Sequence, residues 1–448
     1  MHELKFFVIL ITFIKMRRIM NEAFLQFIWK HGLFDTKGMR TADGLRVKVL
    51  STGMINHDAG PDFFNARIGL GKTIWAGNIE IHTRSSDWVR HRHDRDAAYD
   101  NVILHVVGEN DQAVANSKGQ PIPVAELRYD RRLEKNYLDL LESREWIPCR
   151  PHFSENGLPL LRLWLHRLAI ERLEDKTAEI VRRLEQHHYD WNEIFYQFLG
   201  KNFGLRTNAL PFDMLVRSLP LKIAEKHRDN LFQLEALYFG TAGLLNEELM
   251  GDDYFLALKE EFSFLYSKYR MKTVPAHLWK FLRLRPVNFP TIRIAQFARL
   301  IHQSSALFSC LTETTDLAAF RKLFVLQPSS YWNTHYRFNK LSAESPKHLG
   351  ETAFNNLAVN TFIPFLFVYG EYSGEDEFNS RALEFLEKLP PEENAVVSQW
   401  QKLGVSFRSA FETQALLQLR NNYCNSRKCL DCPIGTRLIT KKPDGTIC

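Results

Sequence analysis

Residues 60–82 read GPDFFNARIGLGKTIWAGNIEIH, and this stretch decides the fold. Phe63 to Leu70 reads as one strand, Gly69-Leu70-Gly71-Lys72 as a turn, and Thr73 to His82 as the returning strand. Side chains two apart in a strand share a face, so Glu80 and His82 point one way while Ile79 and Ile81 point into a core. Asp62 opens the first strand after a Gly-Pro turn, and the hairpin carries its carboxylate towards Glu80. Two carboxylates held together repel unless a cation or a proton lies between them. Oxygen ligands with room for water favour Mg²⁺ or Mn²⁺. Such an ion stabilises charge on a phosphate and lowers the pKa of an attacking water.

Working outward, Asn21 to Trp29 reads as a helix capped by Asn21, and Leu45 to Leu50 alternates as a strand. Downstream, Ser85 or Ser86 caps a predicted helix that carries Asp87, Trp88, His91 and Tyr99. Asn101 to Val107 is an apolar strand of the kind buried on both faces, and a weaker strand lies around Pro123 to Leu127. The order helix, three strands, helix, strand, with Pro61-Asp62 opening one strand and Glu80-Ile81-His82 closing the next, resembles the PD-(D/E)XK nuclease core. This resemblance implies an α+β fold: a restriction-endonuclease-like αβββαβ core followed by a mainly α-helical region.

In that superfamily the aspartate and the second acid hold the metal, and a lysine two positions on orients or activates water. The resemblance assigns the acidic pair to Asp62 and Glu80 and an auxiliary acid to Glu22. His82 stands where the lysine is expected. Imidazole serves as a base or a metal ligand near neutral pH but supplies no permanent positive charge. The strings Gly-Pro-Asp-Phe-Phe-Asn-Ala, Glu-Ile-His and Tyr-Asp-Asn-Val-Ile-Leu-His-Val-Val are also similar to a bacterial family of unknown function.

On a helix, Asp87 and His91 share a face and approach the site together, whereas His91 and His93 stand about 200° apart and cannot share one ion. His105, set among strand valines, reads as a core histidine, and His57 with Asp58 either positions substrate or makes the turn. Arg67, Arg84 and Arg90, with Lys72 and Arg92 nearby, are candidate phosphate contacts.

Past Cys149 the pattern turns helical, with candidates at 192–203, 212–227, 253–269, 291–303, 350–368, 377–388 and 407–421. Breaks are expected at Pro211, Pro220, Pro286, Pro290 and Pro346. The end of the chain carries Cys424, Cys429 and Cys432 in a C-x4-C-x2-C arrangement. Two thiolates three apart reach one ion, and Arg427 and Lys428 favour their deprotonation. Cys149 and Cys448 are the two candidates for a fourth ligand to an iron–sulfur cluster or Zn²⁺, and Cys310 reads as core. Some nucleases of the superfamily named above hold an iron–sulfur cluster with a similar set of thiols.

The expected divisions are an extension over 1–19, behind which Met20 is the natural start, a nuclease-like domain over 20–148, helices over 149–421 and a cysteine segment over 422–448. Phe6 to Ile14 is nine residues long, against about 20 needed to span a bilayer. With 448 residues, 45% hydrophobic and 25% charged, the composition is that of a globular protein and excludes collagen or wholesale disorder. The formal charge of +6 permits a nucleic-acid partner. A cytoplasmic, metal-dependent phosphodiesterase acting on DNA or RNA without sequence specificity is therefore expected. The alternatives are a non-catalytic nucleic-acid-binding or assembly protein and a hydrolase of a small phosphorylated substrate.

Overall fold

The computed structural model describes residues 21–245 and 251–442, so the extension over 1–19 and Cys448 lie outside the described residues. The chain divides into two compact units. Among the described residues the first comprises 21–164, 402–405 and 419–442, and the second comprises 165–245, 251–401 and 406–418. Among the described residues no helix is long and apolar enough to cross a membrane.

The first unit is built on a mixed sheet. Helix α1 (Glu22–Lys30) is capped by the Asn21 side chain, which accepts the Phe24 N–H at 2.9 Å, and it buries Phe24, Leu25, Phe27, Ile28 and Trp29. Strands β1 (Val47–Ser51), β2 (Met54–Ile55), β3 (Phe63–Leu70) and β4 (Thr73–Arg84) are antiparallel neighbours, with β1, β2 and β4 all pairing β3. Strand β5 (Val102–Glu109) then lies parallel to β4, and β6 (Val124–Glu126) parallel to β5. As its apolar run implied, β5 is buried from Val102 to Val107 on both faces.

Two irregularities aim the functional side chains. In β3, Phe64 and Asn65 together oppose Asn78 of β4, and Asn65 takes a left-handed φ of 55°. Such a bulge bends its strand and re-aims the neighbouring residues, here Asp62. In β4, Gly77 marks the change of partner from β3 to β5: a Cβ there would lie 2.4 Å from Ile103 Cγ2 and 2.7 Å from the Asn101 carbonyl. Only glycine lets the two backbones approach so closely.

The predicted helix after β4 is corrected by the structure. Helix α2 (Asp87–Arg90) is a single turn, followed by 3₁₀ turns at His93–Arg95 and Ala97–Tyr99. It ends because Arg92 adopts a left-handed φ of 65°, which no continuing helix accommodates. After β6 come α3 (Arg131–Glu142) and the long α4 (Phe153–Gln186), whose first turns belong to the first unit.

The second unit is helical, with one small hairpin of His335–Arg337 and Lys340–Leu341. Helices Asp253–Tyr269, Pro290–Gln303 and Asp376–Lys388 fall where the periodicity placed them. Pro211 does not end a helix but lies inside Leu205–Ser218, and the kink falls at Asn208, three residues earlier, as a missing N–H and ring clash require. The stretch predicted as one helix over 350–368 is Glu351–Leu357, a π turn over Ala358–Phe362, and Ile363–Ser373. Pro364 has no N–H to donate to Asn360. The Asn202 amide donates to that carbonyl at 3.0 Å, and Lys176 Nζ donates to the Val359 carbonyl at 3.0 Å.

Candidate active site

Five segments of the first unit converge on one pocket. From α1 come Glu22 and Gln26, four residues apart and therefore on one face. Gln26 Nε2 donates to Asp62 Oδ1 at 2.9 Å. The turn before Asp62 is held by Asn56, whose side-chain amide donates to the Asp58 and Pro61 carbonyls and whose Oδ1 accepts the Asp58 N–H. His57 and Asp58 are exposed and belong to this turn. Asp62 Oδ2 accepts the Ile81 N–H at 2.9 Å, and the Asp62 N–H donates to Glu80 Oε2 at 3.1 Å. The two acids are thus held together by backbone N–H groups against their mutual repulsion.

The other Glu80 oxygen faces imidazoles. Oε1 lies 3.2 Å from His93 Nε2 and 3.4 Å from His82 Nε2. His82 Nε2 is also 3.0 Å from His91 Nδ1, and its Nδ1 is 2.8 Å from His105 Nε2. Ring nitrogens of His82, His91 and His93 all lie within 4.8 Å of one another. This corrects the expectation that His91 and His93 cannot share an ion. They do not lie on a helix: His91 is the residue closing α2, and the left-handed Arg92 turns His93 back to the same side. Tyr99 stacks on His93 at 3.7 Å between ring centroids, and the Trp88 ring meets it edge-on at 5.4 Å.

Asp87 spends its oxygens locally. Oδ2 accepts from the Thr83 hydroxyl and the Arg84 N–H, and Oδ1 pairs with Arg90 at 2.9 Å. It anchors the start of α2, while His91 alone of that pair reaches the imidazoles. Arg84 faces Glu109 at 3.6 Å, and Arg67 is exposed on β3. His105 is buried as expected of a core residue, but its Nε2 contact with His82 was not foreseen, and its Nδ1 is buried without a partner. Gln26 and Tyr99 also escaped notice as site residues. Gln26 lies one helical turn after Glu22, the only signal that pointed to it.

Burial sets the electrostatics. Desolvation, reinforced by the Glu80 charge, pushes the Asp62 carboxyl up to about 7. Desolvation outweighs the Asp62 N–H bond and lifts Glu80 to about 8, and it raises Glu22 as well, with Asp62 adding repulsion. His82 falls to about 2 through desolvation and then the His105, His91 and His93 neighbours; burial takes His105 to about 3. His93 is lowered by burial despite the acids around it. Near neutral pH the pocket therefore holds uncharged His82 and His105 beside Asp62 and Glu80 carboxyls that hold their protons more tightly than usual. Such groups bind a cation by exchanging those protons for it. Glu80, His82, His91 and His93, with Asp62 adjacent, are the residues placed to hold one.

A mixed sheet that gathers buried acids and imidazoles where its pairing changes from antiparallel to parallel defines an α+β protein with an acid–imidazole centre. The chain belongs to DUF2851, a family of proteins of unknown function, whose model matches residues 22–395. No curated protein and no solved structure matches it.

Proposed function

We propose that this chain is a metal-dependent phosphodiesterase that cleaves DNA or RNA at the Asp62–Glu80–His82 centre. The observation that carries the reading is the convergence of the Asp62 and Glu80 carboxyls with ring nitrogens of His82, His91 and His93 in one pocket. The element order, with β3 and β4 antiparallel and β5 parallel to β4, supports the likeness to PD-(D/E)XK nucleases. A donor set of carboxylate oxygen and imidazole nitrogen suits Mn²⁺ better than Mg²⁺, whose preference is for oxygen alone.

When bound, the divalent ion neutralises charge on a phosphate and acidifies a water. The protein's share is positional. Asp62 and Glu80 supply the negative charge that retains the ion, Gln26 and the Ile81 N–H hold Asp62 still, and Glu22 adds charge from α1. His82, fixed through Nδ1 by His105, turns Nε2 towards the ion as a ligand in the place of the customary lysine. Nothing in the pocket reads base edges, so cleavage is expected without sequence preference.

A second reading, a nucleic-acid-binding protein without catalysis, is favoured by the missing permanent cation at position 82. The test is cleavage of single- and double-stranded DNA and RNA with Mn²⁺, with Mg²⁺ and with chelator, using Glu80→Ala as the control. Metal-dependent cleavage lost in Glu80→Ala is expected. Cleavage that survives this substitution overturns the assigned centre, and tight binding without cleavage by the wild type selects the second reading.

A further inference from the structure

The first unit carries another convergence of ligand-bearing side chains, chemically unlike the acid–imidazole pocket. Its C-terminal segment lies against α3 and the loop that follows: the Asn136 amide donates to the Ile439 carbonyl at 3.0 Å, and the Arg427 guanidinium donates to the Ser143 carbonyl. The Arg420 guanidinium lies 5.0 Å from the Trp146 ring centroid, and Tyr423 meets Trp164 edge-on at 4.7 Å. These contacts seat the segment that carries Cys424, Cys429 and Cys432 against the stretch that leads to Cys149, more than 270 residues earlier in the sequence. All four are buried and all are free thiols. They are close enough to interact: ionisation of Cys429 or Cys432 opposes that of Cys149, and Cys424 feels the other three.

The backbone around the thiols is shaped for them. Arg427, at a left-handed φ of 55°, turns the chain between Cys424 and Cys429. Gly435 lets the following turn close, because a Cβ there would meet the Cys429 carbonyl at 2.1 Å. Cys432 stands at the start of the C-terminal helix, Pro433–Thr440, whose positive end favours the thiolate, the form that ligates metal. Arg420 and Arg427 add positive charge beside Cys424 and Cys429.

Four buried weak donors in one place add little to a core, whereas four thiolates complete the coordination of a soft metal with no position left for water. We propose that Cys149, Cys424, Cys429 and Cys432 hold a tetrathiolate metal centre, a zinc ion or an iron–sulfur cluster, that staples the C-terminal segment to the sheet-bearing unit. The three later cysteines lie beyond the residues matched by the family, and the centre does not depend on the phosphodiesterase reading.

The test is zinc, iron and acid-labile sulfide analysis, with a visible spectrum, on the full chain purified under nitrogen. One colourless zinc per chain that Cys149→Ser and Cys432→Ser each lose identifies a zinc site, and iron with equimolar sulfide and broad visible absorption, lost in the same variants, identifies a cluster; either supports the proposal. Cys310→Ser should keep the metal. If the first two variants fail to fold, thiol alkylation of the wild type decides: four cysteines should be protected until the metal is stripped. The proposal is overturned if the wild type takes up neither zinc nor, with iron, sulfide and a thiol reductant, a cluster. It is overturned equally if Cys149→Ser retains a full complement of metal.

Discussion

Two buried glutamates, Glu80 in the sheet and Glu235 in the helical unit, are both nearly inaccessible to water and both raised in pKa by burial. Their surroundings differ in kind. Glu235 accepts hydrogen bonds from the Tyr254 and Ser329 hydroxyls and from Trp332 Nε1, donors that keep their protons throughout the ordinary pH range. Glu80 has one such donor, the Asp62 N–H, and otherwise faces imidazoles and a second carboxyl that themselves exchange protons. A satisfied buried acid fixes a fold, while one surrounded by titratable groups is poised to trade its proton for something else.

That contrast is tested most severely by truncation. Glu80→Ala should lower Mn²⁺-dependent cleavage by about 10³-fold, about 4 kcal/mol of transition-state stabilisation, with little change in the denaturation midpoint. Glu235→Ala should do the reverse. It leaves the buried Trp332 Nε1 without its acceptor, takes one from the Tyr254 and Ser329 hydroxyls, and costs about 3 kcal/mol in chemical denaturation, while the folded fraction keeps its specific activity. Equal effects of both substitutions on stability would erase the distinction.

His105 sharpens it further, since it acts on the reaction only through His82. His105→Ala should reduce kcat by about 10–100-fold and move the pH–rate profile, leaving KM nearly unchanged. A loss of stability with an unmoved profile would make His105 merely a core residue.

The smallest effect concerns pH. A carboxyl raised to about 8 in the folded state binds its proton more tightly there than when unfolded. Stability is therefore greatest below the unfolded value and falls as pH climbs towards 8. Glu80→Gln should raise metal-free stability at pH 8, read as a shift in the denaturation midpoint, and leave it unchanged at pH 4. Mn²⁺ should raise the Tm of the wild type more at pH 8 than at pH 6, because it replaces those protons.

Asp62, Glu80 and His82 were legible in the sequence because strand alternation and a short turn translate directly into side-chain direction. The sheet followed for the same reason. His93 was not legible: its place depends on Arg92 leaving the helical region, and arginine carries no local signal for a left-handed backbone, as glycine would. The bond from His105 to His82 is a cross-strand contact between parallel strands, whose register no local pattern specifies. Pro211 misled because proline disturbs the turn before it rather than its own position.

Strand β4 is unusual in having two halves with different companions. Residues 73–77 pair β3 alone, with Ile74 and Trp75 exposed, Ile79 pairs both neighbours, and from Glu80 to Arg84 the partner is β5. The acid–imidazole pocket is confined to the half that β5 holds. The hairpin tip around Gly71 and Lys72 is consequently the place where a peptide tag or a small reporter domain can be spliced in without disturbing the pocket.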